Sequence, residues 1–126
     1  MLYPKNKENQ LSPELFKNPT SEYRGTPFWA WNGRLSDEEL KRQIDVFETM
    51  GFGGFHMHVR TGMSTNYLSD EFMSLIKCCA EKAEKEDEVN ELEAAGLDYD
   101  ELWYMDDYER REAIEEAGLD PDDFDF

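Results

Sequence analysis

The sequence has no stretch close to the roughly 20 consecutive apolar residues that a membrane-spanning helix needs. Its first residues, Met1-Leu2-Tyr3-Pro4-Lys5-Asn6-Lys7, contain no apolar core of the kind a secretory signal carries. A cytoplasmic, intracellular location is the expectation. Basic residues are scarce, with 13 Lys and Arg against 30 Asp and Glu, for a net charge of −17. This argues against nucleic acid as a direct ligand, since neutralising phosphates takes clustered Lys and Arg. It argues equally against docking on an anionic membrane surface. There are only two cysteines, the neighbours Cys78 and Cys79. Successive residues of a helix point about 100° apart, so a structural disulfide between them is not expected; both read as reduced, partly buried core. Histidine is equally rare, with only His56 and His58.

The charge that is present is unevenly placed. Residues 1–86 carry 11 Lys/Arg against 13 Asp/Glu, whereas residues 87–126 carry 2 against 17. A break this sharp marks a boundary near Glu86. The expected organisation is an extended lead-in over 1–25, a structured segment over 26–86 and an acidic helical tail over 87–126.

Pro4, Pro13 and Pro19 keep the lead-in irregular, with at most a short helical turn at Pro13–Lys17. Residues 26–32, Thr-Pro-Phe-Trp-Ala-Trp-Asn, read as a strand closed by the turn signal Asn32-Gly33. A helix follows over 37–50. Ser36 and Glu39 form a capping box, Leu35 and Leu40 a hydrophobic staple, and Leu40, Ile44 and Phe47 an apolar stripe. Gly51 then ends the helix, with Phe52 placed to touch Phe47. Residues 54–60 alternate: Phe55, Met57 and Val59 face one way, and His56, His58 and Arg60 the other. Ser69 caps a second helix whose stripe is Phe72, Leu75, Ile76, Cys79, Ala80 and Ala83.

Strand, helix, strand, helix is the pattern of a parallel α/β sheet. The polar face of the second strand favours a barrel lumen over an open sheet buried on both sides. The expected fold class is therefore α/β, a partial (β/α) barrel followed by short acidic helices. The tail holds a repeat 22 residues apart, Ala95-Gly96-Leu97-Asp98 and Ala117-Gly118-Leu119-Asp120. Each copy reads as a helix stop, with glycine past the end, followed by an aspartate N-cap for the next helix.

Two runs, Arg24-Gly25-Thr26-Pro27-Phe28-Trp29-Ala30-Trp31-Asn32-Gly33 and Gly51-Phe52-Gly53-Gly54-Phe55-His56-Met57-His58-Val59-Arg60-Thr61-Gly62, carry a family resemblance. Together they resemble the start of large bacterial glycoside hydrolases, the α-L-rhamnosidase-like proteins near glycoside hydrolase family 106, whose catalytic domain is a (β/α)8 barrel. The resemblance spans residues 11–86 and only the first quarter of such a barrel. It implies substrate binding at the strand ends by Trp31, Asn32, His58 and Arg60, with the tryptophan stacking on a sugar ring and the polar groups taking hydroxyls. The alternative for Trp29 and Trp31 is plain core. No carboxylate ends either strand, and in the resembled family the catalytic acids come from later strands. No catalytic residue is assigned, and the segment is expected to be inactive by itself.

Other chemistries are weaker. His56 and His58 share a face, but a metal site takes three or four ligands, and the commoner fate of such histidines is a hydrogen-bonded position. No metal or cofactor is expected. Asp98-x-Asp100 and Asp120-x-Asp122 lack the glycine and glutamate spacing of a calcium loop. The readings that remain are a truncated, carbohydrate-active glycoside-hydrolase-like segment, an acidic interaction module for a basic protein, and a fused or truncated reading frame with no selected function. Unpaired strand edges add a tendency to self-associate.

Overall fold

A computed structural model describes residues 9–126; the first eight residues of the expected lead-in lie outside the described residues. The elements run α1 (Pro13–Lys17), a 3₁₀ turn (Ser21–Tyr23), β1 (Phe28–Trp31), α2 (Asp37–Thr49), β2 (His56–Val59), α3 (Asp70–Ala94), α4 (Tyr99–Tyr104), α5 (Asp107–Glu116) and a 3₁₀ turn (Pro121–Asp123). The chain forms two compact units, and the division between them falls inside α3, between Ala83 and Glu84.

In the first unit β1 and β2 pair in parallel, Phe28 opposite His56 and Trp31 opposite Val59, with α2 as the crossover. The local signals for α2 act as the sequence implies. Ser36 Oγ accepts the Glu39 amide at 3.4 Å, and Leu35 and Leu40 are both buried. Only half of the capping box forms, because the Glu39 carboxylate turns to Arg42 and Gln43 instead. Those bonds, Arg42 first, hold its carboxyl down at about 2. At the far end the Phe52 amide reaches back to the Phe47 carbonyl and the Gly51 amide to that of Glu48, the paired bonds of a Schellman ending. The core consists of Trp29, Trp31, Leu35, Leu40, Ile44, Phe72, Leu75 and Cys79. Trp29 sits at its centre, meeting Trp31, Phe47 and Phe55 edge to face at 5.1–5.5 Å between ring centres, the arrangement ring quadrupoles favour. Gly53 is needed for closeness: a Cβ there would lie 2.0 Å from the Ser21 carbonyl oxygen.

The expected partial (β/α) barrel does not form. Among the described residues 55% are helical, and the sheet has two strands of four residues each. The reason lies where a third strand would begin. Residues 81–94 are almost all Glu, Lys, Ala, Asp and Leu, with no glycine or proline. Most of these are good helix formers, so α3 continues unbroken through Glu86 to Ala94. In the described residues the outer edge of each strand stays unpaired.

The second unit has its own core of Leu92, Leu102, Ile114 and Phe124, with Leu97, Tyr99, Met105, Leu119 and Phe126 packed against it. Both copies of the 22-residue repeat do the same job. Leu97 and Leu119 donate to the carbonyls five residues back, Leu92 and Ile114. Asp98 accepts the amides of Asp100 and Glu101, and Asp120 that of Asp122. Asp106 caps α5 through the Glu109 amide at 2.9 Å. Among the described residues no helix is long and apolar enough to cross a membrane.

Candidate functional site

The strand parity of the first unit separates two faces. Trp29 and Trp31 point into the core, 6% and 2% exposed. Phe28 and Ala30 point the other way, onto the face of His56 and His58, and all four are exposed. There the rings of Phe28 and His58 lie 4.4 Å apart between centres. The Arg60 guanidinium stands 5.7 Å from the centre of the Phe28 ring, within cation–π range. His56 Nε2 and Thr26 Oγ1 are 3.0 Å apart. Neither strand contributes a carboxylate to this face.

Of the four residues expected to bind substrate, His58 and Arg60 share this face and Asn32 lies exposed just past the end of β1. Trp31 does not join them. Its indole is on the opposite side of the sheet, edge-on to Phe72 at 5.9 Å, so the core reading describes it. Its indole nitrogen is buried with no hydrogen-bond partner, whereas that of Trp29 donates to Gln43 Oε1 at 2.7 Å. Phe28 and Thr26 belong to the exposed group and went unassigned in the sequence reading. Parity was the signal: a residue next to a core tryptophan must face the other way.

The loops after the strands are pinned together. The Arg60 amide donates to the Trp31 carbonyl and the Ser64 amide to that of Gly33. The buried Thr65 hydroxyl accepts the Leu35 amide at 3.1 Å. Asn32 and Arg60 are therefore carried on strand ends tied by backbone bonds.

The cysteines are not poised for chemistry. Cys79 is wholly buried, and burial pushes its thiol up to about 12. Cys78 donates to Asp37, and burial with that carboxylate raises its thiol too. The thiolate is the reactive form, so neither sulfur is activated. Asp37 is held below the usual carboxylate range by Cys78 and then by Lys41, whose Nζ is 3.0 Å away. Among the described residues, no group of three or more His, Cys, Asp or Glu comes together as a metal site would require.

The second unit presents a different surface. Its three cations, Lys85, Arg110 and Arg111, stand against 19 Asp and Glu. Arg110 donates to the Leu102 and Met105 carbonyls at 2.9 and 3.0 Å and covers the Phe126 ring at 4.6 Å. Arg111 pairs with Asp122 at 2.7 Å. Lys85 lies over Tyr99 and Trp103. Trp103, Tyr104 and Tyr108 are exposed among these carboxylates, by 52%, 88% and 74%. No protein-family model, no curated protein and no solved structure matches this chain.

Proposed function

We propose that this is a non-catalytic binding protein whose acidic helical unit, Glu84–Phe126, docks on a basic protein partner. The observation that carries this reading is how the unit uses its cations. Two of the three spend their charge on backbone carbonyls and aromatic rings, so the surplus of carboxylates faces outward around exposed Trp103, Tyr104 and Tyr108. Aromatic anchors give an interface its energy, while complementary charge gives it rate and selectivity. A unit with its own core can present that surface without a partner to fold it. Calorimetry of the full chain with hexalysine tests the reading. Binding that weakens with added salt, and is absent with hexaglutamate, is the expected result; no binding to hexalysine at low salt overturns it.

A second reading comes from the resemblance to glycoside hydrolases and is favoured by the exposed Phe28, His58 and Arg60 group. In it, Asn32, His58 and Arg60 contact a carbohydrate without hydrolysing it. Hydrolysis of a glycosidic bond ordinarily takes two opposed carboxylates, and the strands supply none. Aryl-rhamnosides and other aryl-glycosides should not be turned over by the purified protein. Turnover abolished by changing one Asp or Glu would reverse that conclusion.

A further inference from the structure

Lys85 is the one cation of the acidic unit that lies over two aromatic rings, Tyr99 at the edge of the core and the exposed Trp103. Its Nζ lies 5.2 Å from the centre of Tyr99 and 5.9 Å from that of Trp103. The two rings sit four residues apart on α4, 6.2 Å between centres. Phe126 stacks behind Tyr99 at 5.3 Å, with planes inclined by 19°. Lys85 and Trp103 are both exposed, so this contact opens to solvent. Lys85 makes no ion pair with any described residue, although carboxylates crowd this part of the unit. Glu88 is raised by burial and by the charges of Asp125 and Glu84, and is only partly relieved by an Asp125 backbone bond and by Lys85. The two rings already hold one ammonium at a position open to solvent.

We propose that Tyr99 and Trp103 form a recognition site for a lysine side chain of a basic peptide, and that Lys85 is its resident occupant in the unbound chain. The inference rests on the reading of the acidic unit as an interaction module and names where the partner's cation binds. An ammonium over two rings is favoured by their negative faces, and the unit's surplus of carboxylates adds attraction that rises as the group is shielded from water. Lys85 must leave for a partner to enter, so it weakens the apparent affinity in proportion to its own occupancy.

The test uses the full chain, hexalysine and the tryptophan indole N–H resonances, with that of Trp103 identified by its loss in Trp103→Phe. The expected result is a saturable shift of the Trp103 resonance, with those of the buried Trp29 and Trp31 unmoved. Lys85→Ala should tighten hexalysine binding by about threefold more than Arg111→Ala does, the gain expected from removing one exposed cation–π competitor. Arg111→Ala removes the same charge from the same unit and so controls for general attraction. Equal gains from the two variants, or binding seen by calorimetry with the Trp103 resonance unmoved, overturn the site and leave the module reading standing. No binding of hexalysine to any of the three proteins overturns the module reading and the site with it.

Discussion

Gly96 and Gly118 hold the same left-handed backbone angle, φ +84°, 22 residues apart. Each ends a helix, and each is followed by a leucine whose amide bonds back across the last turn. A Cβ at either position would meet nothing within 4 Å, so only the backbone angle calls for glycine. Gly96→Ala and Gly118→Ala should each destabilise the acidic unit by about 1 kcal/mol, the cost of a left-handed L-residue. Urea unfolding followed by circular dichroism measures it. An unchanged midpoint in both variants would show that the repeat is not what closes these corners.

The two neighbouring arginines of α5 should differ sharply. Arg110 holds two carbonyls at the end of α4 and covers Phe126, so Arg110→Ala strands partly buried acceptors at a cost of about 1–2 kcal/mol. Arg111 makes an exposed pair with Asp122, and such pairs contribute about 0–1 kcal/mol. Equal losses from the two alanine variants would contradict the geometry. The midpoint shift in the same urea titration decides.

Asp87 supplies a pH dependence. Burial, and then the charge of Glu91, raises its carboxyl from 3.8 to about 6. Between those values the folded state binds more protons than the unfolded chain, so stability falls as pH rises through the window. The full penalty is present above pH 6. Asp87→Asn should stabilise the unit at neutral pH by about 1–2 kcal/mol, discounted for partial solvent screening, and hardly at all at pH 4. The difference between thermal melts at the two pH values is the measurement; a gain of the same size at both would remove Asp87 as the cause.

Trp31 and Phe28 test the two faces of the sheet. Trp31→Ala removes one of the largest fully buried side chains and should cost about 3–5 kcal/mol. Phe28→Ala on the open face should cost less than about 1 kcal/mol, in the range of surface changes. Denaturant unfolding of both variants gives the comparison. A mild effect of Trp31→Ala would return Trp31 to the list of exposed, ligand-facing residues.

Much of the candidate site was half legible. His58 and Arg60 were placed on one face by alternation alone, and the structure has them there with Phe28. Phe28 itself was missed, and Trp31 was assigned to the strand mouth by resemblance although parity set it beside Trp29. The Lys85, Tyr99 and Trp103 contact could not be read at all, because it joins α3 to α4 across a turn whose geometry no local pattern states.

What the sequence alone determined is what depends on a few consecutive residues. Ser36, Asp98 and Asp120 cap, and Gly51, Gly96 and Gly118 stop, because those bonds span five residues or fewer. The parallel pairing of β1 with β2 joins residues 28 positions apart; the sequence implies it only through the strand–helix–strand order. Tertiary structure decided the rest. Whether the sheet grew toward a barrel depended on α3, which runs unbroken through the stretch from Glu81 to Ala94 where a third strand would begin. Which carboxylates are raised and which cations turn inward depended on burial. Burial is set by contacts between residues far apart in the chain, and no periodicity records those contacts.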